Sequence, residues 1–352
     1  MGDAAWVKSL KIAGMYAGVI LGAGFASGQE LNLFFVRFGG MGFWGFLVSG
    51  VIFSLIGWAV LEICRVKQIS DYNALIGAVM GRKAGAVMKW VVCLFLFVLY
   101  ATMIAAGDAA LTEAFGLPGG LGVLLMSAFC FAALLFGLGG LIKINVIVAP
   151  AMVIGGILIG LYTLFGASAD PVENTAVFAQ AQSHWIGAAI TYAAYNTMTA
   201  VAVLAAMGAM ATHRKVAFWG GLLGGISMTV LGLSLALPLF VTGLDLQRFE
   251  IPLLAVMSAY PRVVWLGYAL ILLAAIYTTA ACNAFAFIEN IADKIKISKI
   301  WLKIVVTLCA AAASRIGFST FVSAVYPLFG IFGLVQAVMI VSTFLWLKVA
   351  KF

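Results

Sequence analysis

The stretch Gly22–Glu30, GAGFASGQE, sits in the middle of an apolar segment that runs from about Lys11 to Phe35, roughly the length needed to cross a bilayer. Its glycines and serine make a poor helix centre. In hydrocarbon every unmatched backbone N–H or C=O is costly, so an opened helix persists only where protein or a water-filled cavity covers it. An opening of this kind marks a site: its freed carbonyls can hold a cation, and the half-helix that follows can face an anionic group. The competing reading is a small-residue face for close helix packing. Glu30 at the end of the stretch argues against packing alone.

The rest of the chain is built for lipid. Its 352 residues are 65% hydrophobic and 9% charged, with a mean hydropathy of +1.16. That balance excludes a soluble globular domain and leaves one integral membrane domain over residues 1–352. The first apolar segment is too long and too glycine-broken for a cleaved leader, so it is expected to stay in the mature protein. A formal charge of +8 invites a nucleic-acid reading, but the basic residues follow membrane topology instead. Lys8, Lys11, Arg65, Lys67, Arg82, Lys83, Lys89, Lys143, Arg214, Lys215, Lys294, Lys296, Lys299, Lys303, Lys348 and Lys351 fall on one side of the alternation; Arg37, Arg248, Arg262 and Arg315 fall on the other. The positive-inside rule then puts both termini in the cytoplasm of a multi-pass cell-membrane protein with an even number of spans. Cys64, Cys93, Cys130, Cys282 and Cys309 lack metal spacing and read as small buried hydrophobes.

Apolar stretches between polar punctuation predict an all-α protein with about ten spans, near residues 9–36, 42–64, 87–114, 120–140, 144–166, 185–211, 216–241, 263–290, 299–316 and 319–349. The amphipathic piece Ile69–Lys83 is expected to lie along the cytoplasmic face. Glu250–Tyr260, opened by Ile251-Pro252, is expected to form a short helix on the outer face. The loop Ala167–Ser183 separates two halves of five spans, 9–166 and 185–349, which enter the membrane from opposite sides as an inverted repeat. The first span of the second half carries a polar, aromatic cluster, Tyr192–Thr199, and is predicted to be broken there like the first. Paired breaks at corresponding positions point to a midplane binding site; the alternative is a patch that only hydrogen-bonds between helices. In the eighth span Thr278 and Thr279 either bond carbonyls one turn back or offer hard oxygens to a small cation, for which sodium is suited.

The GAG motif, the cluster Tyr195-Asn-Thr-Met-Thr199 and the Thr278-Thr279 pair resemble the amino acid/polyamine/cation superfamily with its LeuT-type fold. Within it the chain is similar to the YkvI-type membrane proteins, relatives of the branched-chain amino acid:cation symporters. The text Ala194–Gly208, AYNTMTAVAVLAAMG, carries that likeness. The resemblance implies a sodium site formed by the carbonyls of Gly18, Leu21 and Ala275 and the hydroxyls of Thr278 and Thr279. It implies a substrate site between the two breaks, with the backbone of Ala23, Gly24, Phe25, Ala26 and Ser27, the side chains of Tyr195, Asn196 and Thr199, and Tyr100 facing the same place. One departure stands out. The symporters carry an aspartate where this chain has Thr199, and Glu30 is the carboxylate available instead.

An ionisable group inside a span is a functional candidate by default. Glu30 is expected to bind a substrate amine, to pair with Arg37 or Arg315 as a gate, or to exchange a proton. Asp108 is placed near the outer end of its span, Glu62 in an exposed pair with Arg65, and Glu289 and Asp293 at an inner gate with Lys8 or Lys11. His184 and His213 lie near span ends. With no phosphate-binding loop, metal-spaced His/Cys set or Ser/His/Asp arrangement, neither an enzyme nor an organic cofactor is expected. The sequence therefore reads as a secondary carrier that couples sodium entry to symport of a small organic solute, an amino acid or similar, by alternating access. Its partners are that solute and membrane lipid, not nucleic acid, and no oligomeric state is assigned. A proton-coupled carrier and a non-transporting solute sensor resembling germinant-receptor subunits are the alternatives; a channel would need a longer polar stripe.

Overall fold

Apolar runs broken mainly by glycine and short polar turns fold into helices, and no strand occurs among the described residues. The computed structural model describes residues 3–20, 22–166, 184–292, 294 and 297–349. In chain order the helices are α1 (Asp3–Ile20), α2 (Ala23–Ser27), α3 (Gln29–Phe34), α4 (Gly40–Lys67), α5 (Tyr72–Phe115), α6 (Leu121–Phe136) and α7 (Leu138–Gly166). After the connection come α8 (Trp185–Ala206), α9 (Arg214–Val241), α10 (Pro252–Met257), α11 (Arg262–Ala292), α12 (Lys299–Ala313) and α13 (Phe318–Val349), the last with a π-turn at Phe321–Val325.

Among the described residues α4, α5, α8, α9, α11 and α13 are long and apolar enough to cross a membrane. At the four other places where a span is predicted stand α1, ended by the break, α7, and two short helices, α6 with 16 residues and α12 with 15. Within Ile69–Lys83 a short helix starts at Tyr72, with Asp71 accepting the Ala74 N–H at its N-cap; Gly81 (φ 74°, ψ −179°) is non-helical and sets this first part of α5, which buries Leu75, Ile76 and Val79, apart from the long helix that continues to Phe115. The short helix expected after Ile251 is α10, with proline in its first turn.

The second predicted break is corrected. α8 runs without interruption through Tyr192–Thr199 and gives way to a 3₁₀ turn only at Gly208–Met210. The polar side chains that suggested an opening bond backward into their own helix. Asn196 donates to the Tyr192 carbonyl at 3.0 Å, Thr197 to Ala194 at 2.8 Å and Thr199 to Asn196 at 3.2 Å. Local satisfaction of this kind leaves helical N–H groups in place.

Small residues set the packing around the break. α9 presents Gly220, Gly221, Gly224 and Gly225, and a Cβ on Gly221 or Gly225 would run into the backbone of α4. Tyr16 of α1 fills the space over Gly224 and donates to the Phe53 carbonyl at 2.9 Å. On the other side Ser49 of α4 donates to Ala189 of α8 at 3.0 Å, and Gly330 and Gly333 let α13 lie on α8. Tryptophans and lysines meet at one end of the molecule: Lys294 over Trp90 at 4.0 Å and Lys348 over Trp58 at 4.2 Å, the pairing found at membrane–water interfaces.

The Glu62–Arg65 ion pair forms at 2.7 Å, but Glu62 is only 8% exposed, so the pair is part-buried where the sequence predicts it exposed. Glu289 pairs with Lys299 at 3.8 Å and not with Lys8 or Lys11; Asp293 lies outside the described residues. Cys64, Cys93 and Cys130 are buried as expected, whereas Cys282 and Cys309 are exposed.

Candidate functional site

The break in the first helix is real and double. α1 stops at Ile20, Gly22 is extended (φ −79°, ψ −179°), and five residues of helix follow before Gly28 turns left-handed at φ 81°. The Gly22 N–H, which in an unbroken helix would bond Gly18, donates to Ile20 at 2.7 Å. Most carbonyls inside the break are engaged locally. Gly22 accepts from Phe25 and Ala26, Gly24 accepts from the Ser27 hydroxyl at 2.8 Å, and Ala26 accepts from Tyr268 of α11. A Cβ on Gly28 would press on Leu253 at 2.9 Å, so α10 locks the second turn.

These turns carry Glu30 back over the start of α2. Its carboxylate lies against Gly24 so closely that any Cβ there would collide with it. Glu30 is 6% exposed, and no ion pair is formed with Arg37 or Arg315 or with any other cation among the described residues. Tyr195 of α8 lies beside the carboxylate without completing a hydrogen bond of regular geometry. Tyr195 in turn stands 5.6 Å from Tyr192 and 5.1 Å from Tyr326 of α13, ring centre to ring centre, with Phe34 and Phe95 completing the enclosure. The hydroxyls of all three tyrosines are buried without a hydrogen-bond partner among the described residues. One carboxylate and three phenols without a hydrogen-bond partner among the described residues thus share a buried core, where each unmatched polar group costs about 1–3 kcal/mol.

The predicted site residues divide accordingly. Ala23 to Ser27, Glu30 and Tyr195 come together, and Thr199 lies one turn beyond Tyr195 on the face of α8 that holds Tyr192, Tyr195 and Asn196. Tyr100 does not join them. Its hydroxyl donates to Thr307 of α12 at 3.2 Å. Five residues separate it from Phe95, which at about 100° per residue rotates it roughly 140° away from the face that meets Tyr195. Tyr326 went unselected in the sequence, although a tyrosine inside an otherwise apolar span is itself a signal. Of the implied sodium set, Leu21 lies outside the described residues. Thr279 sits beside the break, its methyl 3.8 Å from where a Gly22 Cβ would be. Thr278 donates to the Ala275 carbonyl at 3.1 Å, the local bond that a mid-helix threonine makes by default. No group of three His, Cys, Asp or Glu among the described residues is placed to hold a metal ion.

The overall fold that holds this site is shared with solved transporters. The chain aligns with the Eremococcus coleocola manganese transporter at a TM-score of 0.59, covering 97% of this chain and 80% of that one at 15% identity. With a Na+-coupled sialic acid symporter the TM-score is 0.56, over 98% and 86% of the two chains at 15% identity. With inward-facing Mhp1 it is 0.56, over 95% and 76% at 13% identity. The fold is of the LeuT type. In sequence this LeuT-fold chain is similar to the uncharacterized membrane protein YkvI of Bacillus subtilis (strain 168), 26% identical over 330 residues and 91% of each chain. It is 25% identical to the uncharacterized protein YyaD of the same organism over 329 residues, 94% of this chain and 95% of that one. No protein-family profile matches it. Six helices among the described residues that are long and apolar enough to cross a membrane, in a LeuT-type fold, make it a multi-pass membrane protein.

Proposed function

We propose that the protein is a secondary active transporter that moves a small organic solute, an amino acid or similar, together with sodium. The observation that carries this reading is the double break that folds Glu30 onto Gly24 among three unpaired tyrosine hydroxyls. Polar groups are buried at the crossing of α2, α3, α8 and α13, a costly arrangement that a bound solute would relieve. In this reading the chain spans the membrane about ten times as two inverted halves, 9–166 and 185–349, with α1, α6, α7 and α12 as the remaining spans and both termini in the cytoplasm. Solute lies against Ala23–Ser27, Glu30, Tyr195, Asn196 and Thr199. Sodium lies between the end of α1 and α11, on the carbonyls of Gly18, Leu21 and Ala275 and the hydroxyls of Thr278 and Thr279. Two features support the ion site: Gly18 loses the N–H that an unbroken helix would give it, and Thr279 stands beside the break. Occupancy of both sites favours rocking of one bundle against the other, exposing the same site to either side.

Melting of the purified protein in sodium against potassium tests the ion, because a ligand that binds only the folded state raises apparent stability. A sodium-specific rise lost in Thr278→Ala and Thr279→Ala supports the assignment; equal melting in both salts overturns sodium coupling. Uptake by proteoliposomes under a sodium gradient tests transport itself. A second reading, proton coupling through Glu30, is favoured by that carboxylate having no cation beside it among the described residues, and uptake driven by a pH gradient without sodium would select it.

A further inference from the structure

A cleft of about 900 Å³ lies between α5, α6 and α12, at the end of the molecule that carries the α5–α6 turn, away from the Glu30 core. Its volume is in the range of small-molecule sites. Ser127 and Thr307 line its deep side. Ser127 is 9% exposed and its hydroxyl has no hydrogen-bond partner among the described residues. That is unusual for a buried serine or threonine in this molecule. Ser9, Thr102, Thr163, Thr229, Ser234 and Thr343 all donate to the carbonyl four residues back, the default for a hydroxyl inside a helix. Thr307 already accepts from Tyr100, which leaves its own hydroxyl proton for another acceptor.

The mouth is acidic. Asp108 uses its carboxylate to hold the N–H groups of Gly120 and Val123 at the start of α6. Glu113 engages one oxygen with the N–H groups of Glu250 and Ile251, and Glu250 engages one with Ser319. The second oxygen of each glutamate has no hydrogen-bond partner among the described residues. Arg315 is the cation on the rim, so the three carboxylates outweigh it. The acids do not converge on a point that would hold a metal ion. They are spread along the rim of a cleft whose walls are alanine and leucine, which suits an extended organic cation.

We propose that this cleft is a second binding site, for a small linear organic ammonium whose charge rests at Glu113 and Glu250 and whose body reaches the Ser127 hydroxyl. The ammonium arrives either as a free amine or as the ethanolamine headgroup of a neighbouring lipid, since Leu124 and Leu308 on the rim are exposed toward the surroundings of the bundle. The site stands independently of the transport reading.

The test uses the full-length protein in phosphatidylglycerol nanodiscs, titrated with 1,4-diaminobutane and read by calorimetry and by melting. The same titration is repeated in discs that also contain phosphatidylethanolamine. Wild type is expected to bind the diamine saturably. Ser127→Ala should weaken binding about tenfold, the loss of roughly one hydrogen bond, and Ala311→Leu should abolish it by filling the cleft. Without ligand Ser127→Ala should melt no lower than wild type, because the hydroxyl it removes is unpaired; this separates lost binding from lost folding. Unchanged diamine affinity in both kinds of disc assigns the site to a free amine. Weaker apparent affinity in the ethanolamine discs, relieved in Ser127→Ala, assigns it to the headgroup. Absence of diamine binding in phosphatidylglycerol, or equal binding by wild type and both variants, overturns the proposal.

Discussion

At Gly24 the missing side chain is what lets Glu30 turn back across the break. Gly24→Ala should therefore cost about 1–3 kcal/mol through overpacking, read as a lowered melting temperature, and Glu30→Ala should restore part of it. A coupling between the two substitutions below about 0.5 kcal/mol would contradict the contact. Glu30→Gln keeps the size and removes the charge. Since a buried carboxylate without a counter-ion is costly, the variant should melt no lower than wild type at neutral pH while losing solute binding; a clear drop in melting temperature would mean that the carboxylate is compensated. Much of this was legible in the sequence, because a carboxylate just after a glycine-broken span is too costly to face lipid and must turn into the protein. Tyr100 was not legible. Its placement depends on helix rotation about α5, and a residue rotated by roughly 140° looks no different in a linear text.

The elements show where pattern reading succeeds and where it fails. Non-helical backbone at Gly22 and Gly28 opens the first span, and the left-handed state of Gly28 cannot be taken on equally by other residues. Gly28→Ala should destabilise by about 1–2 kcal/mol from the left-handed conformation alone, with the Leu253 contact adding to it, and should disturb α10 as well as the break. Proteolysis near α10 that is unchanged in this variant would show that the two are not coupled. The second half reads differently because polarity was taken for breakage. Asn196, Thr197 and Thr199 carry polar side chains inside a small-residue span, yet each bonds a carbonyl of its own helix. At Gly22 it is the extended backbone that removes the ladder itself, with the N–H turned to Ile20. Asn196→Ala is accordingly expected to leave melting within about 0.5 kcal/mol of wild type, as for other substitutions away from strained or bridging positions.

For the whole molecule, the all-helical, lipid-facing character follows from composition, and the LeuT-type arrangement is what the resemblance carried by the GAG motif, the Tyr195–Thr199 cluster and the threonine pair implies. The tyrosine enclosure was beyond reach of the text, since it joins Tyr195 to Tyr326 across 131 positions through the packing of Gly330 and Gly333 on α8. The expected orientation is tested by single cysteines at Lys299 and Arg315 in a cysteine-free background: an impermeant thiol reagent added to intact cells should label the second and not the first. α6 and α12, which pack on each other, have 16 and 15 residues. At about 1.5 Å per residue they are roughly 23 Å long, against a hydrocarbon layer of about 30 Å. As the spans proposed above, they require the bilayer to thin along that flank or their own ends to be drawn inward. Acyl-chain length thereby becomes a control variable: turnover in discs of short-chain lipids should exceed that in long-chain ones, with the difference arising on one side of the protein only.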